Sequence, residues 1–100
     1  MINTGIEELS KQKIIALINA VIPEASIYLF GSRARGSYQK SSDIDIALED
    51  KKPISSFITG ELMDIMAASN IKYKIQIVDI NSVSEEMREN ILKDRVLWKN

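Results

Sequence analysis

Two short stretches hold the residues that could do chemistry. Asp43 and Asp45 stand two apart in the run Asp-Ile-Asp-Ile-Ala-Leu, and residues 31–36 read Gly-Ser-Arg-Ala-Arg-Gly. Side chains two apart in a strand share a face, which places the two carboxylates on one side with Cα atoms roughly 6.5–7 Å apart. Like charges at that spacing repel unless something positive lies between them. A divalent ion that also touches phosphate oxygens supplies that compensation. In the glycine-rich stretch, Gly31 permits positive φ and lets backbone N–H groups approach a ligand. Ser32 adds a hydroxyl, and Arg33 and Arg35 add positive charge. Amides, a hydroxyl and guanidinium groups together suit the terminal phosphates of a nucleotide. Taken singly, a Gly-Ser turn is a common tight turn and an Asp-x-Asp pair is a polar strand face. The short gap between them, and the rarity of Asp within strands, favour one shared site.

Composition narrows the chemistry further. The chain contains neither cysteine nor histidine, which excludes disulfides, thiolate metal sites and every Ser-His or Cys-His nucleophile scheme. A metal would have to sit on oxygen ligands, as Mg²⁺, Mn²⁺ or Ca²⁺ do. With 13 Lys and Arg against 14 Asp and Glu, the charge balance argues against a broadly basic surface, and direct nucleic-acid binding is not expected. One hundred residues, 45% of them apolar, suit one compact domain over residues 1–100. Residues Met1 to Glu7 lack a basic stretch followed by an apolar core. No apolar run approaches the ~20 residues that span a bilayer, so a cytoplasmic protein without a membrane segment is expected.

The elements that must position these residues can be read from periodicity. Thr4-x-x-Glu7 fits a capping box ahead of Ile6, Leu9, Ile14, Leu17, Ile18 and Val21, a helical stripe that Pro23 ends. Ser26 to Phe30 is short, β-branched and aromatic, and predicts a buried strand that stops at Gly31; residues 31–42 then form a loop. Asp43 to Leu48 alternates as the second strand. Ser55 or Ser56 caps a helix carrying Phe57, Ile58, Leu62, Ile65 and Met66. Ile71 to Ile80 is the third strand. Ser82-x-x-Glu85 repeats the capping signature before a helix with Met87, Ile91 and Leu92, and Val96 to Trp98 closes the chain as a short strand or apolar tail. Leu97 and Trp98 suit an interface slightly better than a core, because interfaces favour Trp. The expected class is α+β: a small mixed β-sheet with helices packed mainly on one face, in the order α-β-loop-β-α-β-α, leaving the other face or the strand ends for a site.

Gly31-Ser32-x-Ala34-x-Gly36 followed by Ser42-Asp43-x-Asp45 resembles the signature of the minimal nucleotidyltransferases, within the DNA polymerase β-like superfamily. The resemblance covers nearly the whole chain. It implies that Gly31, Ser32, Arg33 and Ser42 serve the phosphates of ATP or another NTP, and that Asp43 and Asp45 are the catalytic ligands of Mg²⁺ or Mn²⁺. It further implies transfer of a nucleoside monophosphate to a hydroxyl, with pyrophosphate leaving, driven by positioning and charge neutralisation. Proteins of this kind pair with a separately encoded helical partner of the HEPN type, in toxin–antitoxin or similar modules, so a hetero-oligomer is implied.

One position departs from the pattern. Active members carry a third carboxylate on a later strand between apolar neighbours, and the residue so placed in Lys74-Ile75-Gln76-Ile77 is Gln76. Its amide can offer a carbonyl oxygen but no charge, and it cannot act as a base. Asp79, three residues on, faces the opposite side of a regular strand and reads as a strand-end residue leading into Ser82. Arg35 and Lys40 suit phosphate and solvent about equally. Glu85, Glu86, Lys51 and Lys52 read as solvated charges.

Overall fold

The three strands nearest the site follow from alternation. In the computed structural model, which describes residues 3–100, β1 (Ser26–Phe30), β2 (Ile44–Glu49) and β3 (Ile75–Asp79) lie side by side, and β4 (Val96–Lys99) adds to the far edge of β1. Met1 and Ile2, where the N-terminal reading begins, lie outside the described residues. The sheet order is β3-β2-β1-β4, with β2 and β3 parallel and the other neighbours antiparallel. The terminal segment is thus a strand. Trp98 packs against the main core, whereas Leu97 stays exposed.

One face of the sheet carries Ile27, Leu29, Ile44, Ile46, Leu48, Ile75 and Ile77, all buried. Helices α1 (Glu8–Val21) and α3 (Ser56–Ala68) supply Ile14, Ile18, Leu62 and Met66 to this layer. Full burial of each such side chain contributes roughly 1.5–3 kcal/mol, which is what holds β2 flat against its neighbours. Ser55 is the cap of α3, accepting from Ile58 N at 3.3 Å. The opposite face is covered only in part. Helix α4 (Glu85–Asp94) lays Ile91 against Ala47 and Ile80, with Tyr28, Phe30, Val78 and Val83 around them.

Several local expectations give way to tertiary demands. The Thr4–Glu7 capping box does not form: Gly5 takes φ +69 and α1 starts at Glu8 with no side-chain cap. The Thr4 carbonyl is instead an acceptor for Arg33. Ser82 does not cap α4, because its hydroxyl donates to Asp79 at 2.7 Å; Ser84 caps it, accepting from Met87 N at 3.2 Å. The third strand begins at Ile75 rather than Ile71, and the second at Ile44 rather than Asp43. The loop expected after β1 opens as a short helix, α2 (Gly31–Arg35), so the order is α-β-α-β-α-β-α-β. No helix among the described residues is long and apolar enough to cross a membrane.

Candidate active site

A row of three side chains crosses the open face of the sheet. Phe30 on β1 pairs across the antiparallel ladder with Asp45 on β2, and Asp45 pairs in parallel register with Gln76 on β3. Directly paired residues point to the same side, so Phe30, Asp45 and Gln76 stand shoulder to shoulder, roughly 4.5–5.5 Å apart at Cβ. The register therefore places Gln76 beside Asp45, as the apolar-x-apolar pattern of β3 predicts. Asp43, one residue ahead of β2, lies near enough to act on Asp45 electrostatically.

Asp45 is half-buried, and its carboxyl is held above the ordinary carboxylate range. Desolvation is the largest cause and repulsion from Asp43 the second, with the Arg35 guanidinium pulling in the opposite direction. Two carboxylates close enough to raise a pKa, one of them partly removed from water, form a locus short of positive charge.

Gly31 is shaped around this locus. Its φ is +78, and a Cβ built there would collide with the Asp45 carboxylate. The glycine is thus required twice, by backbone conformation and by the close approach of Asp45. Helix α2 starts at Gly31 with Phe30 as its N-cap and no side-chain cap. Its first-turn N–H groups have no acceptors within the helix. Gly36 ends α2 in the left-handed region, φ 81.

Comparison with known proteins settles the family. The polymerase β nucleotidyltransferase family matches residues 12–100, from α1 through β4, with Gly31, Asp43, Asp45 and Gln76 all inside the match. The chain belongs to this family. It is 31% identical to the protein adenylyltransferase MntA of Shewanella oneidensis, over 92% of this chain and 67% of that protein. Among solved structures, a toxin–antitoxin complex with AMP-PNP contains a chain that superposes with TM-score 0.78 at 29% identity, covering 90% of this chain and 73% of the other. The complex of a tri-AMPylated Shewanella oneidensis HEPN toxin with its MNT antitoxin matches with TM-score 0.75 at 27% identity, over 95% of this chain and 74% of that chain.

Not every residue of the expected phosphate set faces the acids in this nucleotidyltransferase. Arg33 is only 1% exposed. Its guanidinium donates to three backbone carbonyls: Thr4 at 2.9 Å, Ser42 at 3.0 and 3.1 Å, and Lys40 at 3.3 Å. It also lies 4.8 Å from the Tyr38 ring centroid and 5.0 Å from that of Tyr73. A guanidinium with its donors spent on carbonyls pins the 37–42 loop to the N-terminal segment, and this corrects its reading as a phosphate ligand. Ser42 belongs to the same loop closure, its hydroxyl accepting from Gln39 N at 2.8 Å. Ser32, half-buried, follows Gly31 in the first turn of α2.

Asp79 is accounted for away from the site. It is 4% exposed and accepts from Ile54 N, Asn81 N and the Ser82 hydroxyl, so it ties β3 to the start of α3 and to the following turn. Among the described residues no group of three His, Cys, Asp or Glu side chains could hold a metal ion. The donor set is two carboxylates with one amide carbonyl alongside. Carboxylate and carbonyl oxygens of this kind suit hard ions such as Mg²⁺ or Mn²⁺.

Proposed function

We propose that this chain binds a nucleoside triphosphate, ATP by kinship, together with Mg²⁺ or Mn²⁺, and transfers its nucleoside monophosphate to a hydroxyl on a helical partner of the HEPN type. The observation that carries this reading is the Asp45 carboxylate, seated against Gly31 and repelled by Asp43. Carboxylates that repel each other at a glycine-opened helix start are poised for a cation and phosphates together. Asp43 and Asp45 are the metal ligands. The amides of Gly31 and Ser32, with the Ser32 hydroxyl, hold the distal phosphates. When bound, the divalent ion neutralises charge on the phosphates. The acceptor oxygen bonds to the α-phosphorus as the bond to the pyrophosphate oxygen breaks. Gln76 orients this end of the site by its carbonyl but cannot take the acceptor proton, which leaves to solvent. The kinship to the adenylyltransferase MntA, and the AMP carried by the HEPN toxin in the related complex, support both the adenylyl group and the partner class.

A second reading has its own observation. Gln76 stands beside Asp45 where active members carry an acid, which favours a module that binds nucleotide and restrains its partner with little or no turnover. Incubation of the protein with its gene-neighbour partner, α-phosphate-labelled ATP and Mg²⁺ or Mn²⁺ separates the two. Label on the partner that vanishes in Asp43→Ala and Asp45→Ala supports transfer, and a tight complex that never acquires label supports restraint.

A further inference from the structure

Asp45 is fixed by the sheet, with a strand paired to it on either side, whereas Asp43 stands one residue ahead of β2. Two carboxylates serve one ion only if both are held in place. Asp43 is pinned through the backbone on each side of it. After it, Ile44 N donates to the Lys74 carbonyl at 2.9 Å. Before it, the Ser42 carbonyl accepts from Arg33 Nε at 3.1 Å and from Nη2 at 3.0 Å. That carbonyl shares one rigid peptide plane with the Asp43 N–H, so the guanidinium sets the orientation of the bond that leads into Asp43.

We propose that Arg33 is the positioning residue for Asp43, and that its grip on the Ser42–Asp43 peptide sets where the Asp43 carboxylate meets a divalent ion. The inference rests on the reading of Asp43 and Asp45 as metal ligands and adds the group that aligns one of them. Loop closure alone does not require this arrangement. The bonds from Nη2 to the Lys40 carbonyl at 3.3 Å and from Nη1 to the Thr4 carbonyl at 2.9 Å already tie the 37–42 loop to the N-terminal segment. The two donors on Ser42 come in addition, at the residue before the acid. The guanidinium is in turn held from its outer side. Tyr73 anchors the segment that carries Thr4, its hydroxyl donating to the Gly5 carbonyl at 3.1 Å and accepting from Glu7 N at 3.3 Å.

Helix α2 thereby serves both acids. Gly31, its first residue, admits the Asp45 carboxylate, and Arg33, two residues on, holds the backbone of Asp43. Mg²⁺ demands near-octahedral oxygens at roughly 2.0–2.1 Å, so a carboxylate displaced by about 1 Å no longer serves it well. Lysine at this position cannot stand in for arginine. An ammonium is a point donor and does not reach the Ser42 and Thr4 carbonyls together, as the planar fork does.

Mn²⁺ binding to the full chain, followed by electron paramagnetic resonance, tests this without recourse to turnover. The parent is compared with Arg33→Lys, Asp43→Ala, the variant carrying both changes, and Leu62→Ala. All are kept in trimethylamine N-oxide, which favours the folded state, with folding checked by circular dichroism. Asp43→Ala is expected to weaken Mn²⁺ binding by about tenfold or more. If it does not, the metal-site reading fails and this inference with it. Given that loss, Arg33→Lys is expected to weaken Mn²⁺ by about tenfold when Asp43 is present and by less than about twofold when it is absent, because nothing is then left to position. Leu62→Ala, which opens the main core away from the acids, keeps the parent affinity. Parent-like affinity in Arg33→Lys, the same loss with and without Asp43, or an equal loss in Leu62→Ala overturns the positioning role and leaves the metal site standing.

Discussion

Arg33 and Asp45 lie on either side of one loop, and both are charged residues drawn into the protein, yet they are treated oppositely. Arg33 is enclosed with every direction answered: carbonyls of Thr4, Lys40 and Ser42 along its edge, and the rings of Tyr38 and Tyr73 nearby. Asp45 is half-buried beside a second carboxylate, with Arg35 as the one positive group acting on it. A buried charge whose partners are complete is scaffold; a charge left short of partners next to a glycine-opened backbone is a place for something else to bind. The motif puts both in one signature, and only the surroundings tell them apart.

The largest effect should come from breaking the scaffold side. Arg33→Ala leaves three carbonyls on two segments, the N-terminal stretch and the 37–42 loop, without their donor and removes the cation stacked near two tyrosine rings. We expect a loss of about 3–5 kcal/mol, the scale of a broken buried charge network. For a domain whose total stability is of order 5–15 kcal/mol, that brings it close to unfolding. Urea denaturation measures it. Arg33→Lys should recover less than half, because an ammonium cannot reach several carbonyls as the planar fork does. If Arg33→Ala were as stable as the parent yet lost nucleotide affinity, Arg33 would belong with the phosphates after all.

Breaking the other side should separate function from stability. Asp45→Asn is expected to abolish Mg²⁺-dependent ATP binding and any transfer. In the metal-free protein it should raise Tm by a few degrees at neutral pH, because it removes both a desolvated charge and the repulsion from Asp43. The pH dependence has a definite sign. Asp45 has its pKa raised in the folded state, so the folded protein holds that proton more tightly than the unfolded chain, whose carboxyl titrates near ~3.9. Stability from this group is therefore present at low pH and is lost as pH rises through the interval from the unfolded to the folded value. Saturating Mg²⁺ should erase that loss, and Asp45→Asn should not show it. Differential scanning fluorimetry from pH 3 upward, with and without Mg²⁺, reads all three.

Gln76→Asp sharpens the comparison by adding charge to the deficient side. With a third carboxylate beside Asp45, Mg²⁺ affinity is expected to rise by about tenfold or more, while metal-free stability falls through added repulsion. Titration with Mn²⁺ followed by electron paramagnetic resonance measures the affinity directly. If affinity does not change, Gln76 is not positioned at the ion despite its register with Asp45.

How much of this was legible beforehand differs between the two sides for a physical reason. The strands announce themselves because alternating apolar residues are a local signal, and the Asp45–Gln76 alignment follows once β2 and β3 are parallel. The role of Arg33 is hidden because its partners are backbone carbonyls, which every residue has and none advertises. Helix α2 is five residues that begin at Gly31 and end before Gly36, too short for any periodicity to show. Met87 and Leu92 read as core because helical spacing cannot tell an apolar face that meets a sheet from one that lines a cleft; of the three apolar residues expected inside α4 only Ile91 is buried. The Thr4–Glu7 box is a sound local signal that a distant guanidinium outbids for the Thr4 carbonyl.

The smallest stability effect, and the finest test of the contrast, belongs to Arg35. Its ion pair with Asp94 is half open to water, with side-chain exposures of 50% and 19%, so Arg35→Ala should cost at most about 1 kcal/mol. Its reach to Asp45 is another matter. Arg35 lowers the Asp45 pKa against the two influences that raise it, so its removal should move the pH midpoint of Mg²⁺ binding upward. Asp94→Asn offers the complementary change. It breaks the same ion pair but keeps the guanidinium, so the midpoint should hold or fall slightly as Arg35 turns toward the acids. If the two variants shift the midpoint in the same direction, the pair acts by positioning α4 and not by charge. An upward shift confined to Arg35→Ala would mark Arg35 as a surface residue that serves the deficient carboxylate while contributing little to the fold.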